Sequence, residues 1–313
     1  MESITNPVIL FFIFGVLAGL IKSNLEVPQQ LAKFLSLYLL MAIGLKGGSS
    51  LAESGLTIEV GKAMMVGVGL SLLVPIVSYR FLRRYLNGFD AVSVAATYGS
   101  ISAVTFVTAA QFLTAAKIPH DGYMSAVMAL MEAPAILIAI LAANRLRNNA
   151  STNIGLALRE TLTEGASLLL LASLMIGIIA GPSGAEVMQP FVSDLFTGLL
   201  AFFLLDMGLQ VAKNIPQLKD KSLILLVYGI IAPVLHASIA LGACVLLDIS
   251  FGNAVLLMVL AASASYIAVP AALSQSVPEA SPSVYLGLSL GITFPFNVIL
   301  GIPIYHAAAK YFL

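Results

Sequence analysis

Cysteine, histidine and charge are all scarce in this 313-residue chain, which has one Cys, three His and only 10% charged residues. A lone Cys244, set in an apolar run, excludes an intrachain disulfide and a multi-cysteine metal site, and it reads as a small buried hydrophobe. Soluble domains carry about 25% charged residues, so this chain is far outside their range. Its 15 basic and 15 acidic residues cancel, leaving no net charge to draw nucleic acid or an acidic partner. Catalytic signatures are scarce as well: there is no His-Glu-x-x-His and no phosphate-cradling Gly-x-x-x-x-Gly-Lys-Ser/Thr. No enzyme is expected.

What the chain has instead is apolar residues, 59% of the total, with a mean hydropathy of +1.01. That composition predicts an all-α polytopic membrane protein. Apolar runs fall at about 7–21, 31–45, 63–82, 91–114, 123–144, 165–181, 191–211, 222–247, 254–274 and 284–309, giving ten expected spans. Several are shorter than the roughly 20 residues of a perpendicular crossing, which predicts tilted or broken helices. The first run has Glu2 and no Lys or Arg before it and no clean cleavage pattern after it, so it reads as a span and not a secretory signal. Lys22, Lys33, Arg80, Arg83, Arg84, Arg145, Arg147, Arg159, Lys213, Lys219 and Lys221 fall on one side of this arrangement. Lys46, Lys62, Lys117 and Lys310 fall on the other. Eleven against four places the first set in the cytoplasm and both termini outside.

An internal repeat supports an even span count. Asp90-Ala-Val aligns with Asn253-Ala-Val, and Ser100-Ile-Ser102 with Ser263-Ala-Ser265, at the same offset of 163. Ile43-Gly-Leu45 pairs with Met207-Gly-Leu209, Pro75 with Pro233, Ile118-Pro119 with Val277-Pro278, and Pro134 with Pro295. Two units, 1–150 and 151–313, each with five spans, would enter the membrane in opposite directions. That is the inverted-repeat plan of secondary transporters.

The two Ser-x-Ser segments lie at matched points of this repeat. Small residues of this kind serve either close helix packing or a helix interruption lining a polar cavity. Their recurrence at equivalent points favours paired breaks, with Pro270 adding a helix breaker in the second. Half-helix N-termini there would face an anion, and freed carbonyls and hydroxyls a cation. Glu132 could line the cavity and titrate, or be a protonated structural acid; its counterpart region carries Thr293, Pro295 and Asn297. Asp206 is expected close to the cytoplasmic end of its span, within reach of water and in a structural role, and His236 and His306 as satisfied core or interface histidines.

Taken together, "Ile-Gly-Leu-Lys-Gly-Gly" (43–48), "Phe-Asp-Ala-Val" (89–92), "Lys-Ile-Pro" (117–119), "Glu-Ala-Pro-Ala" (132–135), "Ala-Pro-Val-Leu-His" (232–236) and "Pro-Ser-Val-Tyr-Leu-Gly" (282–287) resemble the sodium-dependent bicarbonate transporters of cyanobacteria and their bacterial relatives. The resemblance implies ten helices in core and gate domains with discontinuous helices crossing near the midplane. It also implies a trimer in the bacterial inner membrane, sodium-coupled bicarbonate uptake, and no cofactor beyond a sodium ion near Thr105 and Ser265. Carried over by position, substrate would meet Ser102, Ala103, Val104, Thr105, Ser263, Ser265 and Tyr266, with breaks at Gly99–Thr105 and Ser263–Pro270. Ion coupling would fall to Ser100, Thr105, Ser265, Glu132 and Asn297.

Two departures stand out. Val104 stands where the cyanobacterial members have a hydroxyl, and Tyr266 where they carry an Asp. The second loses the carboxylate that would offset a buried cation, which keeps proton coupling through Glu132 open. A carrier of another small carboxylate or anion, and a non-transporting scaffold or sensor, also stay open. Some members, with a long polar insertion, bind a PII-like regulatory protein; the 145–164 connection here is short and lacks that insertion, and such a partner stays open.

Overall fold

A computed structural model describes residues 6–147, 155, 159, 163, 165–218 and 222–313. The expected unit boundary at 150/151, most of the 145–164 connection, and Lys219 and Lys221 lie outside them. Among the described residues there is no strand. The helices are α1 (Pro7–Leu20), α2 (Gln29–Ser54), α3 (Ile58–Leu82), α4 (Gly88–Gly99), α5 (Ala103–Ala115) and α6 (Met124–Leu146). There follow α7 (Gly165–Gln189), α8 (Phe196–Leu218), α9 (Leu223–Leu246), α10 (Phe251–Ala262), α11 (Ala268–Ser276) and α12 (Pro282–Phe312).

Among the described residues, eight helical stretches are long and apolar enough to cross a membrane, α4 and α5 counting as one of them. The chain is a multi-pass membrane protein. Pro7–Leu20 and Phe251–Ala262 are apolar but shorter.

Helices α2 and α7 run past their expected ends. The run at 31–45 extends to Ser54, because Gly47 and Gly48 let α2 lie against Ser125 of α6 and against Leu174 and Gly177 of α7. Packing thus overrides the poor helix propensity of paired glycines. The run at 165–181 bends at Gly181, with φ of 61°, and resumes at Pro182. Glycine tolerates that φ, and a proline whose missing N–H would be free anyway suits a helix start.

Helices α1, α2, α7 and α8 pack in two close pairs. Gly15 and Gly19 of α1 face Gly208 and Ala212 of α8, and Gly44 and Gly48 of α2 face Ser173 and Gly177 of α7. Each set is a small-xxx-small stripe, which lets two backbones approach without lipid between them. The remaining helices form a second group in which α3 lies on α4 and α6, and α9 on α10. A buried polar network at the broken helices ties this group together.

Candidate functional site

Helix α4 ends at Gly99, whose missing side chain leaves room for Pro75: a Cβ there would lie 2.5 Å from Pro75 Cδ. Ser100 then turns to extended backbone (φ −93°, ψ −176°), and α5 resumes at Ala103 with Ser102 as its N-cap. The Ser102 hydroxyl accepts from the Thr105 N–H (3.2 Å) and from the Thr105 hydroxyl (2.9 Å). Serine favours such caps because its oxygen satisfies a first-turn N–H that has no helical partner. The Phe106 N–H reaches the Ser102 carbonyl, leaving the Ala103 and Val104 N–H groups as open donors of the first turn.

The second break spans Ser263 to Ile267. It is shorter than expected, because Pro270 stands inside the first turn of α11, where its missing N–H removes no helical bond. Ser265 acts as Ser102 does, its hydroxyl accepting from the Val269 N–H at 3.3 Å. The two breaks also bond to each other. The Ser102 N–H donates to the Ser263 hydroxyl (2.9 Å), and the Ser265 N–H donates to the Thr97 carbonyl (2.8 Å). Ser102 and Ser265 are the residues matched at an offset of 163, so equivalent donors reach across in both directions.

The helix starts repeat this exchange. Asp90, third residue of α4, accepts from the Ser281 N–H at 2.7 Å, while Asn253, third residue of α10, accepts from the Asp121 N–H at 2.9 Å. Each broken helix is therefore anchored to a loop of the other half.

A sequence model of the Na+-dependent bicarbonate transporter superfamily matches residues 7–310. The chain belongs to that superfamily. No curated protein matches it.

Within this superfamily member, Ser102, Thr105, Ser263 and Ser265 come together and are all at least 95% buried. Ser100 and Tyr266 join them with buried hydroxyls that lack a hydrogen-bond partner among the described residues; Tyr266 lies near Ser102 without completing a bond, its ring edge-on to Phe294 at 5.1 Å. Val104 contributes an apolar, buried side chain and an open N–H. Asn297 is a brace: its Nδ2 donates to the Ala262 carbonyl at the end of α10 (2.8 Å), and its Oδ1 accepts from Tyr305 (2.8 Å). Asn297 opens a π turn at Asn297–Gly301, two residues after Pro295. Glu132 is buried on α6 and engaged within the fold.

Other expectations give way. Asp206 does not sit near water; it is 4% exposed and accepts from Gln210 Nε2 at 3.1 Å. His236 is buried with its Nδ1 lacking a partner, so it is not the satisfied histidine expected. His306 packs between Phe112 and Phe251, at 5.4 and 5.5 Å. The bracing role of Asn297 and the Asp90 and Asn253 anchors escaped sequence reading, although the matched polar residue opening each Ser-rich helix was a usable signal. The four small-xxx-small stripes were equally legible and carry the other helix group.

Proposed function

We propose that this protein is a sodium-coupled bicarbonate carrier that works by alternating access around the paired breaks. The reciprocal hydrogen bonds between Ser102 and Ser263 and between Ser265 and Thr97 carry this reading, because they hold two interrupted backbones side by side where a small ion can reach both. The open Ala103 and Val104 N–H groups and the positive end of the α5 dipole suit a bicarbonate oxygen. The Ser100, Thr105, Ser265 and Tyr266 oxygens and the free carbonyls suit a sodium ion. All of these oxygens are neutral, so the cation's charge is offset by the bicarbonate beside it. Each ion then lowers the desolvation cost of the other, and that mutual dependence is the physical basis of coupling.

The residues before and after about position 150 are two inverted repeats in this reading. Support comes from the packing: the α1–α8 and α2–α7 pairs exchange under the repeat, as do α3–α4 and α9–α10. The α1, α2, α7 and α8 group would rock against the group carrying the breaks. Uptake of labelled bicarbonate into proteoliposomes, with and without an inward sodium gradient at fixed pH, tests this. Sodium-stimulated uptake is expected; uptake driven only by a proton gradient, or none under any gradient, overturns it.

A further inference from the structure

Between the two helix groups lies a cleft of about 210 Å³, walled by α2 on one side and α5 on the other, with Ser193 and Phe196 closing it from the α7–α8 turn. Along α5 it follows Phe106, Val107, Ala110, Gln111 and Thr114, a single stripe at helical spacing. Continuing that stripe by one turn reaches Ala103, the first residue of α5, which is half-buried while Ser102 and Val104 beside it are buried. The cleft thus points down α5 to the open N–H groups at the break.

One cation lines it, Lys46 of α2, and among the described residues it has no carboxylate within ion-pair distance. The one acid in the lining is Asp121. Its Oδ2 accepts from the side-chain Nδ2 of Asn253, in the first turn of α10, at 2.7 Å, so this carboxylate is already engaged. His120 also faces the cleft, with Nδ1 3.1 Å from the Ile118 carbonyl. Lys46, solvent-exposed at the mouth of this narrow cleft, is left as a cation without an ion-pair partner, an arrangement that raises the local concentration of an ion of opposite sign.

We propose that Lys46 forms a separate small-anion subsite at the mouth of this cleft, a station that an inorganic oxyanion occupies before it reaches the helix break. The proposal rests on the reading of the breaks as the transport site, and two measurements keep the two apart. The only native cysteine, Cys244, is fully buried, so a Ser193→Cys variant reports from the cleft alone. In purified protein, the ratio of modification rates by a sulfonate-bearing and a trimethylammonium-bearing methanethiosulfonate should fall about 3-fold or more when Lys46→Gln is added, and recover with Lys46→Arg. An unchanged ratio overturns the subsite whatever the protein carries. In proteoliposomes, Lys46→Gln should raise the KM for bicarbonate about 3-fold or more at nearly constant maximal rate, with Lys46→Arg close to the parent. An unchanged KM also overturns it. Absence of bicarbonate uptake by the parent counts against the transport reading, and the modification ratio still decides the subsite.

Discussion

Glycine, alanine and serine do opposite work in the two helix groups. In the α1–α8 and α2–α7 pairs they recur every fourth residue along regular helices and meet small residues on the partner, so space is closed. At the breaks they recur every second residue, the helix stops, and backbone groups open toward each other. Composition alone cannot separate these uses; spacing can. A four-residue period keeps small residues on one helix face, whereas Ser-x-Ser gives the chain two adjacent side chains able to replace helical bonds.

The largest expected effect lies in the closed pairs. Gly48→Leu would drive a side chain into the Leu174–Ile178 backbone, so monodisperse, folded protein should be lost, as read by size-exclusion of a fluorescent fusion. Normal yield and melting would erase the distinction between the groups. Next come Ser102→Leu and Ser265→Leu, which should abolish bicarbonate uptake while costing roughly 1–2 kcal/mol of stability for the lost first-turn hydrogen bonds. Retained uptake would reassign the breaks to packing.

A smaller change is expected from Tyr266→Asp, which puts a carboxylate among neutral oxygens and should steepen the sodium dependence of uptake. An unaltered sodium response would move position 266 away from the cation. The smallest effect belongs to a site outside both groups. Arg147 pairs with Glu279 at 2.5 Å and holds that carboxyl below its usual range, chiefly through the hydrogen bond between them. A depressed carboxylate pKa stabilises the fold above the unfolded-state value and loses that contribution as pH falls through the folded one. Melting temperature should therefore drop slightly more on acidification in the parent than in Glu279→Gln, with solvent exposure keeping the difference small. Equal drops would show that the pair contributes nothing.

The helical, multi-pass architecture and both breaks were legible because hydropathy and Ser-x-Ser repetition are local properties. Helix ends were less so: nothing near residue 45 announces that Gly47 and Gly48 will be held helical by neighbours more than 70 residues away. Asp206 and His236 were misjudged for the same reason, since burial is set by partners that sequence spacing does not reveal. Asn297 meets Ala262 across 35 residues of sequence, a pairing that no local pattern announces.

The cross-bonds also bear on how the protein is made. Ser102 waits for an acceptor 161 residues later in the chain, which at ordinary translation speeds means on the order of ten seconds or more. For that interval helices α1 to α6 hold an open backbone in the bilayer with nothing from their own half to satisfy it. The first half is therefore an obligate client of the second, and a ribosome stalled between them leaves behind a fragment that the membrane's quality control should destroy.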